Sequence, residues 1–346
     1  RAQAWHKMPD ASGPKQRFGE AAKFLPVAFV ACNIAGLYAI YMMFHCLPML
    51  REPESHDRAV IQMAIFNSIT FLLFVCYLDC ILVYPGTIPE TQDWQYVPTD
   101  SKGKVDAGLL QETKRSGERR HCKWCAKYKP DRCHHCRVCQ RCILKMDHHC
   151  PWIYNCVGFG NHKYFFLLLL YAALDCHFIT WTMLESVRAS VDSETPFLVM
   201  FFLLFGETLA AFIGILVTVF FGFHIWLMLR GMTTIEFCEK SMKLGKDWTG
   251  ASAYDRGIYG NITSVLGDNP LLWLLPLSPP SGRGLHYTDE DTRLNRDLEG
   301  GRGIRARRSQ KPRPAKTTYG AAPARRKELG QRGGACPDPT RPASEE

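Results

Sequence analysis

Four long apolar blocks dominate the hydrophobic pattern of the chain. They cover residues 24–44, 59–78, 164–184 and 196–229. Only Asp175 and Glu207 bring a charge into them. A helix needs about 20 apolar residues to cross a bilayer, whereas a helix buried in a soluble core is usually shorter and carries a polar stripe. The pattern therefore predicts an α-helical integral membrane protein built on a bundle of four transmembrane helices.

The distribution of basic residues predicts how this bundle is oriented in the membrane. Residues 91–163 contain 14 lysines and arginines against seven acidic residues, whereas the link 185–194 contains one arginine and three acids. Lysine and arginine are enriched in loops on the cytosolic side. We therefore expect the two long polar segments, 85–163 and 232–346, to be cytosolic. We also expect both termini on the cytosolic side, because the chain crosses the membrane an even number of times.

These features divide the chain into six segments. They are a cytosolic N-terminal segment 1–23, transmembrane helices 1 and 2 within 24–84, a cytosolic linker and cysteine-rich domain 85–163 with its core at 120–163, transmembrane helices 3 and 4 within 164–231, a further segment 232–278, and a tail 279–346. The tail has ten basic residues and no acid between positions 302 and 327. This composition favours a solvated disordered tail, with binding to anionic lipid as the alternative. Since aromatic residues are scarce there, we expect no nucleic-acid partner.

Composition narrows the class of protein further. The chain has 346 residues, of which 47% are hydrophobic, so it is neither a small disulfide-stapled domain nor wholly disordered. It contains 15 cysteines, and eight of them lie between positions 122 and 156 together with histidines. Paired cysteines mixed with histidines indicate metal ligation in a reducing compartment rather than disulfides.

The segment 121–156 offers more metal ligands than one site needs. Eight cysteines and five histidines fall within it. A Cys-x-x-Cys pair presents two thiolates on one tight turn, and zinc takes four sulfur or nitrogen ligands in a tetrahedron. Thirteen candidates could fill two sites with five left over, and the spacing does not say which. A purely structural zinc module that binds protein or RNA is the interpretation that spacing alone favours.

Cys150 is distinguished by its neighbours and its position. It follows Asp147-His148-His149 and precedes Pro151-Trp152, shortly before the third apolar block. A neutral histidine can take the proton of a thiol, and a carboxylate can orient that histidine. The pattern therefore has the parts of an activated nucleophile at the membrane face, where a partly lipid substrate would be met.

The segment 122–166 resembles the cysteine-rich domain of the DHHC-type protein S-acyltransferases (palmitoyltransferases). The tetrapeptide at 147–150 matches the motif that gives the family its name. Further matches are Lys129-Pro130-Asp131-Arg132, His134-His135-Cys136, Pro151-Trp152, Asn155-Cys156-Val157-Gly158, Asn161, Thr233-Thr234-Ile235-Glu236, and Tyr254-Asp255 with Gly257, Asn261, Val265 and Gly267. With four spans in the expected order, the resemblance covers roughly residues 20–278.

The resemblance implies two structural zinc ions with interleaved ligands. Carried onto this sequence, the first set is Cys122, Cys125, His135 and Cys142, and the second is Cys136, Cys139, His149 and Cys156. Each set provides all four ligands of a zinc ion. Zinc would therefore stabilise the fold and have no open position for catalysis. Because His149 and Cys156 flank Cys150, the second zinc would fix the place of the nucleophile.

The resemblance also implies a two-step acyl transfer. Cys150 would take the acyl group of palmitoyl-CoA and pass it to a cysteine of a membrane-associated protein substrate. His148 would act as the base and Asp147 would orient it. Two further motifs would support the site structurally. The first motif consists of Thr233, Thr234 and Glu236, and its Thr234 would form a hydrogen bond near Asp147. The second contains Asn261, which would tie the C-terminal segment to the core.

Coenzyme A carries several phosphates, so its site should be basic and cytosolic. The candidates are Lys129, Arg132, His134 and Lys163. An ordinary solvated cytosolic residue is the alternative for each lysine. Trp152 is expected to cap the acyl cavity, with a simple anchor at the membrane interface as the alternative.

Two positions depart from the family pattern. Asp175 lies about three turns into the third span, near the expected end of the acyl cavity. A carboxylate inside a membrane is costly and normally has a partner. We expect it to shorten or close the cavity, with His177, Glu207 or His224 as candidate partners. Tyr84 stands where the family usually has aspartate before Pro85-Gly86, which puts the role of that turn in doubt.

Three rival functions remain open at this point. The first is a membrane-anchored zinc-binding adaptor without acyltransferase activity, and the second is a transporter with a cytosolic metal domain. Four spans without repeats or broken helices disfavour the second. The third is a family member that has lost activity. The Golgi is the favoured membrane, with the endoplasmic reticulum and the plasma membrane as alternatives.

Overall fold

The computed structural model describes residues 22–97, 112, 114, 118–244, 252–277 and 282–287. Nearly all of the expected N-terminal segment 1–23 and most of the tail 279–346 lie outside the described residues. The predictions for these two segments therefore stay predictions.

Four long helices form the membrane part. The first span, Leu25–Arg51, consists of α1 (Leu25–Ile40), a π-helical turn (Tyr41–Cys46) and α2 (Leu47–Arg51); the second span is α3 (His56–Leu82), the third is α4 (His162–Asp192) and the fourth is α5 (Phe197–Leu229). All four are long and apolar enough to cross a membrane. The predicted helical fold class is therefore confirmed, and the four helices suggest a multi-pass membrane protein. The first span extends beyond its apolar block at its C-terminal end, and the second and third spans extend at both ends, because backbone hydrogen bonding continues into the flanking polar residues.

The third span lies at the centre of the bundle. It packs against both the second and the fourth spans and is the most buried of the four. The first and fourth spans approach closely at Gly206, where an added Cβ would lie 2.6 Å from Cγ2 of Ile40. Small residues allow such close packing of helices in a bilayer, where no hydrophobic effect drives the helices together.

Polar side chains link the spans through the π-helical turn. Tyr41 shares a hydrogen bond of 2.8 Å with Thr182. His45 lies 2.7 Å from the hydroxyl of Ser186 and 2.9 Å from the amide oxygen of Gln62. Because buried polar groups need partners, these bonds fix how the first three spans are aligned along their axes.

The cysteine-rich domain lies between the second and third spans. A 3₁₀ helix, Gln92–Trp94, precedes six short strands: β1 (His121–Cys122), β2 (Lys127–Tyr128), β3 (His134–Cys136), β4 (Arg141–Ile143), β5 (His148–Cys150) and β6 (Asn155–Val157). They pair consecutively into three antiparallel hairpins. A second 3₁₀ helix, Pro151–Ile153, forms the turn of the third hairpin. Such short strands cannot bury a core of their own, so the domain needs cross-links.

Within the described residues after the fourth span there are two short helices. They are α6 (Thr234–Leu244) and α7 (Gly257–Leu266), and a 3₁₀ helix, Pro270–Leu272, comes after them. Helix α7 packs against the fourth span. The buried Asn261 donates from its amide to the carbonyl of Leu229 (2.9 Å) and to the carboxylate of Asp255 (2.8 Å), and it accepts from the backbone N–H of Arg256 (3.0 Å). Asn261 therefore ties this segment to the end of the membrane bundle.

Candidate functional site

The three hairpins repeat one pattern in sequence and in backbone. Positions 122, 136 and 150 are cysteines spaced by 14 residues, and each follows a histidine. The strands recur at the same interval. Each turn contains one non-glycine residue with positive φ, which is 48° at Ala126, 52° at Gln140 and 46° at Tyr154. The domain is therefore a triplicated unit, a signal in the sequence that the ligand spacing alone did not reveal.

The repeat explains how ligands from different hairpins meet. In the second hairpin His135 lies opposite Cys142, and in the third His149 lies opposite Cys156. Each of these facing pairs meets the Cys-x-x-Cys turn of the preceding hairpin. The expected two sets of four therefore come together, with all ligand atoms of a set within 4.8 Å of one another. The first set is Cys122, Cys125, His135 and Cys142, and the second is Cys136, Cys139, His149 and Cys156.

The ligand distances suit a tetrahedral metal ion. In the first set, Nδ1 of His135 lies 3.5 Å, 3.2 Å and 3.9 Å from the sulfurs of Cys122, Cys125 and Cys142. Zinc bonds of about 2.0 Å to nitrogen and 2.3 Å to sulfur place such atoms about 3.5 Å apart in a tetrahedron. This set can therefore hold a metal ion as it stands.

The second set has matching dimensions. Nδ1 of His149 lies 3.7 Å, 3.4 Å and 3.5 Å from the sulfurs of Cys136, Cys139 and Cys156. The sulfurs of Cys139 and Cys156 are 3.5 Å apart. Each set supplies three sulfurs and one imidazole, which is the donor chemistry that zinc prefers.

In the part of the chain that the structure describes, no further hairpin follows the third one to complete a metal site. Cys150 occupies the first cysteine position of the repeat, but Ile153 occupies the second. The thiol of Cys150 therefore belongs to neither metal set. It is buried in an apolar cluster that includes Tyr77, Ile153 and Phe165.

Asp147, His148 and Cys150 form a connected row. Nδ1 of His148 donates to Oδ2 of Asp147 at 2.8 Å. Burial by itself raises the pKa of Asp147. The hydrogen bond from His148 and the charges of the surrounding histidines have the larger effect, so the pKa of Asp147 lies well below its usual range. Burial lowers the pKa of His148, but its hydrogen bonds with Asp147 and Cys150 outweigh burial and raise it to about 9. The row can therefore move a proton between a thiol and an imidazole next to a fixed negative charge.

The segment after the fourth span completes this row. Thr234 donates its backbone N–H to Oδ1 of Asp147 (2.8 Å) and its hydroxyl to Oδ2 (2.6 Å). The N-terminus of α6 is a reciprocal capping box, in which the N–H of Thr233 binds the carboxylate of Glu236 (3.0 Å) and the N–H of Glu236 binds the hydroxyl of Thr233 (3.3 Å). The motif therefore fixes the threonine that holds the aspartate.

Arg132 has a different place from the one expected. Its guanidinium is buried and forms two hydrogen bonds to the Glu236 carboxylate, at 2.6 and 2.9 Å, and a third to the carbonyl of Gly231 at 3.0 Å. It also stacks over Tyr254 at 4.5 Å. A buried, paired guanidinium is not a surface contact for phosphate, so Arg132 links the cysteine-rich domain to the C-terminal segment instead.

Lys163 is also buried rather than solvated. Its ammonium donates to the carbonyl of Leu272 at 2.7 Å, which ties the third span to the C-terminal segment. Lys129 and His134 are half-buried in the cysteine-rich domain. Nδ1 of His134 lies 4.0 Å from the carboxylate of Glu239, and burial, together with the charge of Arg120, lowers the pKa of His134 to about 4. Trp152 is 53% exposed, and its ring lies 6.1 Å from that of Phe29 in the first span.

An apolar cavity of about 540 Å³ adjoins the cluster around Cys150. Its walls come from the first and second spans and include Val27, Ala31, Ile34, Tyr38, Asn67, Thr70, Phe74, Tyr77 and Ile81. Val27, Ile34, Tyr77 and Ile81 also belong to the cluster of Cys150. The hydroxyl of Tyr77 donates to the carbonyls of Trp152 (3.0 Å) and Val27 (3.1 Å), so the cavity and the third hairpin are joined.

Asp175 is connected to the wall of this cavity. Its Oδ1 accepts a hydrogen bond of 3.0 Å from Thr70, a cavity residue that was not among the three expected partners. His177 binds Thr218 instead, at 2.7 Å. Sequence patterns cannot find such a partner, because Thr70 and Asp175 lie on different spans and meet only through helix packing.

Comparisons with known proteins agree on one family. Residues 115–241 match the family described as DHHC palmitoyltransferase. The chain is 33% identical to palmitoyltransferase ZDHHC20 of Homo sapiens, over 76% of each chain. It is 32% identical to palmitoyltransferase ZDHHC20-A of Danio rerio over 80% of each chain, and 32% identical to palmitoyltransferase ZDHHC2 of Homo sapiens over 80% of this chain and 78% of that protein.

Proposed function

The chain belongs to the DHHC palmitoyltransferase family and to the class of protein-cysteine S-acyltransferases; from this membership we propose that Cys150 carries the acyl group between donor and substrate. The observation that carries this proposal is the row of Asp147, His148 and Cys150, with the thiol outside both metal sets. Thiolate, not thiol, is the reactive form of cysteine, and an adjacent imidazole can generate it.

In the first step His148 takes the proton of the Cys150 thiol. The thiolate attacks the carbonyl carbon of an acyl-CoA thioester, a new carbon–sulfur bond forms, and the bond to the sulfur of coenzyme A breaks. The proton on His148 passes to the departing CoA thiolate. One thioester replaces another, so no further energy source is needed, and positioning is what lowers the barrier.

In the second step a cysteine of a protein substrate repeats the exchange. His148 takes the proton of the incoming thiol, that thiolate attacks the acyl carbon on Cys150, and the Cys150 thiolate leaves and recovers the proton. Nδ1 of His148 donates a hydrogen bond of 2.8 Å to Asp147, so Nε2 is the nitrogen that exchanges protons with the thiols. The negative charge of Asp147 also stabilises the imidazolium formed in each step.

We assign the two four-ligand sets to structural zinc. Zinc in a closed set cross-links the hairpins and leaves no open position for a reactant. His149 and Cys156, from the second set, face each other in the register directly beside Cys150 and Asn155. The amide of Asn155 donates to the carbonyls of Cys80 (3.1 Å) and Val83 (3.1 Å), which holds the third hairpin against the end of the second span. Nucleophile and membrane surface are thereby kept together.

The cavity between the first two spans is the proposed acyl site. Its volume lies within the usual range of ligand sites, and its walls are almost entirely apolar. It runs from Tyr77, beside the Cys150 cluster, to Asn67, which lies about 15 Å further along the second span. Tyr38 closes that end by donating to Asn67 at 2.9 Å. Asp175, through Thr70, is proposed to limit how deep the acyl chain can lie.

Lys129 and His134 are the proposed contacts for coenzyme A, and the cysteine-rich domain is proposed to be cytosolic. The first assignment follows from the half-buried position of Lys129 and His134 in that domain, and the second from the excess of lysine and arginine in 91–163. The protein substrates would then be membrane-associated proteins with cytosolic cysteines. The Golgi is the proposed location, with the endoplasmic reticulum and the plasma membrane as alternatives.

Labelling of Cys150 tests the proposal directly. The purified chain is incubated with a radiolabelled palmitoyl-CoA, beside the variant Cys150→Ser, and zinc is counted in both. We expect hydroxylamine-sensitive label on the wild type, none on the variant, and two zinc ions in each. Zinc-replete wild type that never acquires label would leave a membrane-anchored zinc-binding adaptor as the better description.

A further inference from the structure

A third group of metal-ligating side chains lies behind the proposed catalytic row. It consists of Asp147, His162 at the start of the third span, and His224 near the end of the fourth. One ligand atom from each lies within 4.8 Å of the others. All three are more than nine-tenths buried, with exposed fractions of 1%, 8% and 3%. Neither histidine belongs to the two structural sets.

Both histidines present a buried nitrogen without a partner. Among the described residues, Nδ1 of His162 and Nε2 of His224 have no hydrogen-bond partner. Buried polar atoms in native proteins are nearly always satisfied, and an orphaned one commonly marks the place of a water molecule or an ion. Two orphaned imidazole nitrogens on members of one ligand group therefore point to a shared ligand.

The carboxylate has capacity left for such a ligand. Oδ2 of Asp147 already accepts from Thr234 and His148, whereas Oδ1 accepts only the backbone N–H of Thr234. A carboxylate oxygen has two lone pairs, so Oδ1 keeps one free. Two imidazoles and one carboxylate oxygen form a donor set that zinc uses when it keeps a fourth position open.

We propose that Asp147, His162 and His224 form a third site for a divalent transition-metal ion such as zinc, and that its occupation inhibits acylation of Cys150. Tetrahedral bonds of about 2.0 Å place ligand atoms about 3.3 Å apart, so small side-chain rotations close the site. The inhibition follows from geometry. A cation bound to Oδ1 of Asp147 withdraws negative charge from the carboxylate and weakens the 2.8 Å hydrogen bond between Oδ2 and His148 that orients the imidazole.

The surroundings make this site weaker than the two structural ones. It has three protein ligands rather than four and no thiolate. The buried Lys145 acts on His162 as an opposing positive charge. Phe165 and Phe220 pack against His224 at 5.2 Å and 4.6 Å between ring centroids, which keeps the site dry. The third ion should therefore bind after the other two and be removed first by a mild chelator.

The experiment counts metal and measures labelling on the same samples. Full-length chain that retains two zinc ions is titrated with buffered zinc, and the rate of acyl label on Cys150 is compared with the rate before addition. His162→Phe and His224→Phe remove one ligand each. His177→Phe removes a histidine of the third span that binds Thr218 and lies outside the group.

We expect the wild type and His177→Phe to bind a third ion and to lose labelling roughly tenfold or more, the scale of disturbing a residue that orients a reactive group. His162→Phe and His224→Phe should keep two ions, bind no third, and show the same rate with and without added zinc. Two retained ions also show that the hairpins of a variant are folded.

Three results would overturn the inference. They are a wild type that stops at two ions, a third ion that leaves labelling unchanged, and equal inhibition of His162→Phe, which would mean that zinc binds Cys150 itself. The inference rests on the proposed function for its effect, but metal counting separates the two. If wild type binds a third ion and yet never acquires label, the proposed function fails and the metal site stands without its inhibitory role.

Discussion

Thr234 gives Asp147 two hydrogen bonds, one from its backbone N–H at 2.8 Å and one from its hydroxyl at 2.6 Å. The same carboxylate holds His148 at 2.8 Å. A threonine that follows the fourth span therefore sets the plane of a carboxylate in the cysteine-rich domain, and that plane sets the imidazole beside Cys150. Since Thr234 would act on the reaction through Asp147, we assign it the role of a positioning residue.

Replacing Thr234 by valine should slow acylation of Cys150. Valine keeps the shape and the backbone hydrogen bond but removes the hydroxyl. A hydrogen bond to a charged group contributes about 1.5–3 kcal/mol, which corresponds to a rate loss of roughly tenfold to a hundredfold. The rate of acyl-enzyme formation at saturating acyl-CoA measures this effect, because the loss should fall on the maximal rate rather than on the KM.

Thr234→Ser is the matched control, because serine keeps the hydroxyl. Its rate should stay within a few-fold of the wild type, and both variants should retain two zinc ions. A valine variant as fast as the serine variant would show that the hydroxyl does not position Asp147.

Glu236→Gln should destabilise the fold. The Arg132–Glu236 pair has side-chain exposures of only 4% and 14%. Removing one partner of a buried ion pair costs about 3–5 kcal/mol, because the other charge stays buried. The thermal unfolding midpoint of the variant should fall clearly. Glu90→Gln is the comparison, since Glu90 pairs with Lys127 but is 87% exposed and should shift the midpoint little. Equal shifts would argue against a structural role for Arg132.

The sequence was sufficient for the helices, because apolar length determines where a chain can cross a bilayer. The spacing of the cysteines and histidines leaves the two metal sets open, and their members come from the family resemblance. The two sets come together in the structure because residues such as Cys122 and His135 lie in neighbouring hairpins.

The sequence was not sufficient for contacts between distant segments. Arg132 and Lys163 were expected to contact the phosphates of coenzyme A, yet each is buried and hydrogen-bonded to the segment that follows the fourth span. Thr70 and Asp175 meet across two helices. Such contacts depend on how helices rotate and pack, which a periodic pattern constrains only to a face.

Cys156→Ser should abolish one metal site and the reaction together. Cys156 is a ligand of the second set and lies in β6, paired with the strand that carries Cys150. We expect about one zinc ion per chain and no label on Cys150, because structural zinc supplies folding free energy to such hairpins. Cys133→Ser is the control: Cys133 is fully buried but belongs to neither set. It should keep two ions and its label, and loss of zinc there would redefine the first set.

Asp175→Ala should alter acyl-chain preference. Removing the carboxylate frees Thr70 on the cavity wall and opens space beside it. Acyl-CoAs longer than palmitoyl-CoA should then label Cys150 better relative to palmitoyl-CoA than they do in the wild type. Glu207 is also an acidic residue of the spans, but it does not line the cavity. Glu207→Gln should therefore leave the labelling ratio between the longer acyl-CoAs and palmitoyl-CoA unchanged. An unaltered preference in Asp175→Ala would remove Asp175 from the proposed acyl site.

Ile153→Cys should make the proposed nucleophile, Cys150, one of two thiol ligands for a metal ion. Positions 150 and 153 correspond to 122 and 125, and to 136 and 139, in the 14-residue repeat, and Tyr154 adopts the same positive φ as Ala126 and Gln140. The substitution therefore recreates a Cys-x-x-Cys turn in a backbone already shaped for it.

The repeat agrees with the proposed role of Cys150. In the first two hairpins the corresponding thiols belong to the two metal-ligand sets, whereas in the third hairpin Ile153 stands at the second cysteine position and Cys150 lies outside both sets. In Ile153→Cys, micromolar zinc should suppress acyl labelling of Cys150, and a mild chelator should restore it. In Ile153→Ser, the new side chain is similar in size to cysteine but provides no thiolate. This variant should label at the same rate with and without zinc. Equal zinc sensitivity in the serine variant would show that the suppression does not arise from the restored turn.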